Sequence, residues 1–401
     1  MSFMYISDLW NIRSFVIVSL LLQIFLILYA PIRKQSRNDC LLWSAYLMAN
    51  WVAPFAIGLI SRNQGNSSAG AIEVEGALHA FWVSFLLLHF GCPDTMGAFS
   101  TDDSKLWGRY LASFIFQLGA AIYVFVKICP SDKSLVIPTI LVLFAALIKN
   151  VERLWALYLT NIPRLREWAL SKHTLSDVLV NKLVEELDVP RDGYSNEEET
   201  KLVESIVVKH AYCFFQIFKI FLVDLVFTHQ QREISREYFC KVSAWDAMRI
   251  ISVELQFMYE VLHTKLLAIH SKWSYIFRFI AFTNIVVAYV LFNRLKKNRL
   301  PELDVKITYA LLLGGIALDV IALVMLVFSD WNVGRIKCCN TGSSKLDSFF
   351  HKLVSSPIDL KKPRFATCEV EPKADATNVF LDTPFIFRRW SESIYASNLF
   401  F

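Results

Sequence analysis

The sequence predicts an all-α, multi-pass membrane protein: a bundle of about seven transmembrane helices, with a helical cytoplasmic region between the fifth and sixth spans. Residues 41–60 carry no charged side chain, and residues 14–30, 273–292 and 307–328 carry at most one each. A bilayer core of about 30 Å needs about 20 apolar helical residues to cross it. The composition agrees, because only 19% of the residues are charged, against roughly 25% in soluble domains.

The net charge and the cysteines argue against several classes of protein. A formal charge of +5 is small for 401 residues, so we expect no nucleic-acid partner. The eight cysteines do not have the paired spacing of a metal site, and half of them lie in or beside apolar runs, which is typical of packed thiols. We therefore expect no metal and no cofactor.

The first span, residues 14–30, ends at Pro31. No basic leader with a small-residue cleavage site accompanies it, so we expect this segment to remain as a helix. Arg33, Lys34 and Arg37 follow directly. Because cytoplasmic loops collect Lys and Arg, the loop is predicted to be cytoplasmic and the N-terminus to lie outside.

Four more spans complete an N-terminal bundle, residues 1–149. They are residues 41–60, the short segment 77–90, and residues 110–126 and 135–148. The loop after the second span contains Asn66 in an Asn-Ser-Ser tripeptide, a candidate glycosylation site or a chance match. The fifth span is followed by basic residues that again indicate the cytoplasmic side: Lys149, Arg153, Arg164 and Arg166.

Residues 150–272 are predicted to form the cytoplasmic helical region. From Met248 onward, apolar residues recur every three or four positions. This spacing predicts a helix with a wide buried face that includes Ile251 and Leu255, whereas Gln256 lies off that face. The face is widened by Ile250, Val253, Phe257 and Val261.

Residues 211–227 allow two interpretations. They are apolar enough to span a membrane, yet they contain Lys219 and Asp224. Two charges at mid-bilayer cost roughly 2.5–3.5 kcal/mol each, which favours an interfacial or packed helix. If the segment crosses instead, the basic loop at residues 294–299 returns to the cytoplasmic side.

The remaining chain is predicted to form a transmembrane hairpin, residues 273–328, and a polar tail, residues 329–401. Cys338 and Cys339 lie about ten residues beyond the last span, beside Arg335 and Lys337. Juxtamembrane cysteines are common palmitoylation acceptors, and the alternative is a pair of free thiols.

Asp319 lies in the middle of the last span. A carboxylate in a span usually faces the bundle and has a partner there. Arg278 and Arg109 are the candidate partners. The carboxylate either forms a structural ion pair or handles an ion or proton, and one acidic residue alone does not define a pathway.

Several blocks of sequence, in a fixed order, resemble the domain-of-unknown-function 4220 family of multi-pass membrane proteins. The blocks are LHFGCPDT (88–95) with DDSKLW (102–107), IKNVERLWAL (148–157), DAMRI (246–250) with FMYEVLHTK (257–265), and RRWSESI (388–394). The resemblance runs from about residue 39 onward, although Cys92 replaces the family's usual second glycine. It implies a plant integral membrane protein, and it implies no activity. Longer members continue into a second C-terminal domain, so the chain is similar to a short or truncated member.

His89 and Asp94 have the H-x-x-x-x-D spacing of some glycerolipid acyltransferases, in which the histidine is the base. Here no phosphate-binding block follows the pair, and Pro93 bends the chain between them. A helix-end histidine beside a turn is the simpler interpretation. The sequence contains no other catalytic motif that we recognise.

We therefore expect a non-enzymatic membrane scaffold or regulator, which presents residues 150–272 to cytosolic protein partners. The alternative is a transporter or channel that uses Asp319, and a lipid acyltransferase is a more distant one. The expected location is the plasma membrane or an endomembrane.

Overall fold

A computed structural model of the chain describes residues 2–35, 40–65, 73–128, 133–171, 202–226, 228–295 and 300–339. Every regular element in these residues is helical, which confirms the all-α prediction. The chain divides into two compact units. The first comprises the described residues of Met1–Pro31, Asn38–Asn161 and Val261–Leu323, and the second those of Ile32–Arg37, Ile162–Glu260 and Val324–Phe401.

The described residues form fourteen α-helices. The first six are α1 (Ser2–Tyr29), α2 (Cys40–Gly65), α3 (Glu73–Phe90), α4 (Thr101–Lys105), α5 (Trp107–Ile128) and α6 (Lys133–Leu159). The next four are α7 (Ile162–Ser171), α8 (Glu204–Phe218), α9 (His229–Lys241) and α10 (Ala244–His263). The last four are α11 (Leu266–Ile269), α12 (Lys272–Arg294), α13 (Glu302–Val327) and α14 (Asp330–Cys339). Two 3-10 helices, Ala30–Gln35 and Lys219–Val223, follow α1 and α8.

Seven helices of the described part are long and apolar enough to cross a membrane, as a multi-pass membrane protein requires. Their apolar segments are Trp10–Tyr29, Cys40–Arg62, Trp107–Lys127, Leu135–Leu159, Glu204–Val223, Trp273–Arg294 and Glu302–Arg335. The number agrees with the prediction, but its members differ. Gly76–Phe90 falls below that length, and Glu204–Val223 meets it.

Helix α3 is the core of the first unit. Its residues are apolar around the whole circumference, which is the pattern of a helix enclosed on all sides. Phe81, Trp82, Phe85 and Leu86 are all fully buried, and α1, α2, α5 and α6 pack against the helix. Because other helices surround α3, its apolar segment can be shorter than a segment that contacts lipid along its whole length.

Polar contacts join α1 and α3 to α13 within the first unit. Arg13 contacts Asp304 through two hydrogen bonds, Nε to Oδ1 at 2.6 Å and a terminal nitrogen to Oδ2 at 3.0 Å. Trp82 donates from Nε1 to the Thr308 hydroxyl at 2.9 Å. Such bidentate Arg–carboxylate pairs fix the orientation of the helices that carry them.

The second unit has an aromatic core. The Phe257 ring on α10 meets the rings of Tyr212 and Phe215 on α8 edge to face, with centroids 6.0 and 5.8 Å apart. Trp331 on α14 closes the cluster 5.5 Å from Phe257. Edge-to-face geometry is the favourable arrangement of aromatic rings. Gly334 allows this packing, because a Cβ there would lie 2.6 Å from the Tyr212 side chain.

A buried ion cluster stabilises the same unit. Arg249 is 2% exposed and contacts the carboxylates of Asp246, at 2.6 Å, and Glu204. Its guanidinium also donates to the Leu202 carbonyl at 3.0 Å. A buried charge is tolerated when it is paired and hydrogen-bonded in this way.

Residues 211–227, which allowed two interpretations, are mostly enclosed by protein. The segment Glu204–Val223 is 72% buried, whereas the other six candidate spans are 17–44% buried. The Lys219 side chain is fully buried, where it donates to Gln216 at 3.2 Å and lies over the Trp168 ring. Asp224 ends the segment in the left-handed region, with φ of 56°. This burial supports the packed-helix interpretation.

The predicted buried face of α10 is right at Ile250, Val253, Phe257 and Val261, which are fully buried, and wrong at its edges. Ile251 and Met248 are exposed, and Leu255 is only partly buried. Gln256, which was expected to lie off the face, is 5% exposed and donates to Glu260 at 2.8 Å. The hydrophobic pattern covers more than half of the circumference, so periodicity alone does not locate the packed side.

Two further sequence interpretations are not tested by these elements. The four predicted domains were defined by where the chain crosses the membrane, so the division into compact units does not test them and they stay a prediction. Residues 340–401 of the predicted polar tail lie outside the described residues.

The corrected face predicts which α10 substitution destabilises the second unit. Phe257→Ala should lower the free energy of unfolding by about 3–5 kcal/mol, as for other buried Phe→Ala changes. Ile251→Ala should change it by less than about 0.5 kcal/mol, because its side chain is exposed. Thermal unfolding of the purified full chain in detergent measures both, and equal losses would reject this face.

Candidate functional site

The candidate site is built around the C-terminal end of α3. A helix leaves its last carbonyls without helical partners, and here four side chains from other segments supply donors. Asn150 donates to Leu87 O at 2.8 Å, Gln23 to His89 O at 2.9 Å, Arg153 to Phe90 O at 2.7 Å, and Lys265 to Gly91 O and Cys92 O at 2.9 and 2.8 Å. We call these donors, together with Asp94, Lys149, Glu152 and Arg278, the α3-end cluster.

Arg153 and Lys265 are the most deeply buried charges of the cluster, each at 1% exposure. The terminal nitrogens of Arg153 donate to the Asn50 side chain and the Tyr46 hydroxyl, each at 3.2 Å. The Tyr110 ring lies 4.5 Å from its guanidinium carbon. In the described part no carboxylate pairs with Arg153, so carbonyl dipoles and aromatic faces stabilise its charge.

Asp94, Glu152 and Arg278 form an ion triad from three segments. Arg278 on α12 donates to Asp94 Oδ2 at 2.5 Å and to Glu152 Oε2 at 3.1 Å. The Lys265 ammonium lies 3.8 Å from Asp94 Oδ1. Burial alone would raise the pKa of Asp94, but Arg278 and Lys265 outweigh it and hold that pKa well below its ordinary value.

Lys265 experiences the opposite balance. Burial lowers the pKa of its ammonium, while Asp94 and Glu152 act in the other direction. The two carbonyls that accept from its Nζ also favour the charged form. Lys265 therefore acts both as a cap of α3 and as a second cation for Asp94.

The loop after α3 lies directly against the backbone of residues 263–265. The amides of Gly97 and Ala98 donate to the His263 carbonyl at 2.8 and 3.2 Å. A Cβ on Gly97 would lie 2.9 Å from Thr264 backbone atoms, so only glycine permits this approach. The contact fixes the position from which Lys265 reaches α3.

Asp319 contacts Lys149, so its predicted pairing with Arg278 or Arg109 is wrong. Arg278 is engaged by Asp94 and Glu152. Arg109 is exposed, at a 530 Å³ cleft that Arg153 also lines. Lys149 was interpreted as a cytoplasmic flank, but α6 continues to Leu159 and carries Lys149 to the helix that holds Asp319.

A small cavity of about 40 Å³ lies beside this pair, lined by His89, Asp319, Lys149 and Gln23 among others. His89 Nδ1 and the Ser19 hydroxyl form a hydrogen bond of 2.9 Å, in which the tautomer of the histidine decides the donor. In the described part, His89 Nε2 and Asp319 Oδ2 are buried and have no hydrogen-bond partner. The cavity is large enough for a water molecule.

The other interpretations of single residues do not match the contacts that the structure shows, or are not tested by it. His89 contacts Ser19 and Asp94 contacts Arg278, so the two do not form the acyltransferase arrangement of a base and its orienting carboxylate. Asn66 lies outside the described residues. Cys338 and Cys339 end α14, but their side chains are not described, so acylation stays a prediction. Among the described residues, no group of three or more His, Cys, Asp or Glu could hold a metal ion.

Three of the four sequence blocks meet in the α3-end cluster. The first supplies Asp94, the second Lys149 to Arg153, and the third Lys265. A family described as "Domain of unknown function (DUF4220)" matches residues 43–400. The chain belongs to this family. No curated protein and no solved structure matches the chain.

Sequence reasoning missed most of the cluster. Arg153 lies four positions after Lys149 and three after Asn150, so it is the neighbour of both on the surface of α6. That spacing was a usable signal, but basic residues after an apolar run also fit a cytoplasmic flank. The structure decides between the two, because α6 has no break at Ile148.

The Lys149–Asp319 contact can be tested with a double-mutant cycle. Asp319→Asn leaves Lys149 partly buried without its counter-charge, and should lower the free energy of unfolding by about 1–3 kcal/mol. Adding Lys149→Gln should restore part of that loss, with a coupling of about 0.5–3 kcal/mol. Thermal or denaturant unfolding in detergent gives the four values.

Glu302→Gln is the matched control, since it removes an acid of α13 whose partner Lys306 is exposed. It should have no measurable effect. Strict additivity of the Asp319 and Lys149 changes would show that the contact does not contribute to stability.

Proposed function

We propose that the protein is a non-enzymatic membrane scaffold or regulator, whose first unit anchors it in the bilayer and whose second unit binds protein partners on the cytoplasmic side. One observation carries the proposal. In the described part, Asp304, which is buried, and Asp94, Glu152 and Asp319, which are partly buried, each contact a lysine or arginine from another segment of the first unit. Removing one partner of such a pair leaves an uncompensated charge, which is a structural reason for each of these acids.

The second unit supports the proposal as the part that meets partners. It has its own aromatic core and its own buried ion cluster, so it can present a defined surface. Helix α9 exposes charges of both signs: Arg232, Glu233, Arg236 and Glu237. Exposed charges of this kind steer and select protein partners.

Proximity labelling in the native membrane tests this proposal. A promiscuous biotin ligase is fused to the full chain, and the neighbours of the parent are compared with those of Arg232→Glu with Arg236→Glu. Reversing two exposed charges on α9 should remove a defined subset of neighbours while the expression level stays the same, because like charges at an interface oppose binding.

The matched control reverses two exposed charges of α5 in the first unit, Arg109→Glu with Lys127→Glu. It should retain the neighbours that the α9 variant loses. Identical neighbours for the parent and the α9 variant would contradict the proposal that this helix presents the partner surface.

A second candidate function, proton or cation transport, is favoured by the cavity beside Asp319. Two buried atoms that lack partners in the described part, His89 Nε2 and Asp319 Oδ2, belong to side chains that line it. Titratable side chains around a wet cavity in a membrane bundle are the elements of a proton relay. We rank this below the scaffold, because the cavity is small and Asp319 already has Lys149 as a partner.

Flux measurements separate the two candidates. The folded fractions of the parent, Asp319→Asn and Glu302→Gln are reconstituted into vesicles with a pH or sodium gradient. The scaffold proposal expects no flux above protein-free vesicles for any of them. A flux that the parent and Glu302→Gln show, and that Asp319→Asn lacks, would establish transport instead.

A further inference from the structure

An open groove in the first unit runs between α6 and the start of α12. Phe144, Leu147, Val151 and Trp155 form the α6 wall, and Trp273 and Phe277 form the opposite wall. The groove has a volume of about 580 Å³, within the roughly 300–1,000 Å³ of small-molecule sites. Both walls belong to candidate membrane spans, so lipid is the solvent from which an occupant would enter.

The charges around the groove exclude an anionic headgroup. No lysine or arginine lines it, and the one ionisable lining residue is Glu152. The Glu152 carboxylate is already bound by Arg278. A phosphate or carboxylate in the groove would therefore meet an acid and no free cation. This argues against an anionic occupant, and because Arg278 already balances Glu152, an uncharged occupant fits best.

Two serine hydroxyls at the groove provide the polar contact. Ser274 is 8% exposed, and its Oγ is buried without a hydrogen-bond partner in the described part. Ser271 is the N-cap residue of α12, and its side chain makes no capping hydrogen bond. A buried hydroxyl without a partner is destabilising, because it has lost its hydrogen bonds to water. An occupant with one hydroxyl could satisfy Ser274, because a hydroxyl both donates and accepts.

The length of the groove matches one leaflet of a bilayer. Phe144 and Trp155 are eleven residues apart on one helix, roughly 16 Å at the 1.5 Å rise of an α-helix. Half of a bilayer core is about 15 Å. Trp273, which is 69% exposed, lies between the two serines in the sequence, and Trp155, which is 51% exposed, ends the α6 wall opposite to Phe144. Tryptophans are enriched at the membrane–water interface, so the hydroxyl end would lie there.

We propose that this groove binds a sterol, with its hydroxyl at Ser274 and its ring system along Phe144 and Phe277. A sterol is uncharged, carries one hydroxyl and extends through one leaflet. Its rigid rings lose little conformational entropy on binding, which favours it over a two-chain lipid with the same headgroup chemistry. The flat rings also suit walls made of aromatic and branched side chains.

Photolabelling tests the proposal on the full chain in phosphatidylcholine nanodiscs. The probe is a sterol with a free hydroxyl and a diazirine in the ring system. Labelling should map to peptides that contain residues 144–155 or 268–277, and unlabelled sterol should compete. The sterol methyl ether, diacylglycerol and phosphatidic acid should compete weakly or not at all.

Two variants, Val151→Trp and Ser274→Ala, test the groove and its hydroxyl contact, and Val290→Trp is the control. Val151→Trp fills the groove from the lipid side, at a residue that is 54% exposed, and should abolish specific labelling. Val290→Trp places the same side chain on α12 outside the groove and should leave labelling unchanged. Ser274→Ala should weaken competition by unlabelled sterol roughly twofold to tenfold, as the loss of one hydrogen bond implies.

The outcomes decide the proposal independently of any partner of the second unit. Each variant is first checked for monodispersity and for the unfolding temperature of the parent. Labelling of Val151→Trp equal to that of Val290→Trp would overturn the groove as the site. Competition by diacylglycerol or phosphatidic acid equal to that by sterol would overturn the ligand class.

Discussion

The first unit depends on one constraint: the last carbonyls of α3 end inside protein, where bulk water does not reach them. A backbone carbonyl without a partner in such a place is strongly destabilising. The unit satisfies them with side chains from far along the chain, among which Arg153 and Lys265 donate to Phe90, Gly91 and Cys92. Once two cations are buried there, carboxylates and aromatic rings must accompany them.

The ion triad follows from that requirement. Lys265 brings a charge to the end of α3, and Asp94 lies near enough to balance it. Arg278 then links Asp94 to Glu152, so that α6 and α12 are tied to the loop after α3. Three of the four blocks that carry the family resemblance supply residues to this cluster. Helix capping and charge balance explain the contacts that these residues make there.

Two further cavities of the first unit differ in character from this paired cluster. The cavity at Asp319 is small and lined partly by polar side chains, whereas the groove at Ser274 is larger and mostly apolar. The second unit uses the same physical device in a different setting, since Arg249 holds two acids in its interior. Burial also raises the pKa of Glu254 on α10 to about 8, so this carboxyl is mostly protonated at neutral pH.

The sequence by itself determined the helical class, the number of apolar helices and the family, because apolar length and ordered motifs are local properties of the chain. It did not determine that residues 77–90 lie at the centre, that Gln256 lies on the packed side of α10, or that Lys149 is the partner of Asp319. These depend on how each helix is rotated and which helices surround it. Contacts between distant residues decide that, such as Lys265 with Gly91, 174 positions apart. Hydrophobic periodicity does not encode such pairings, so only the tertiary structure decided them.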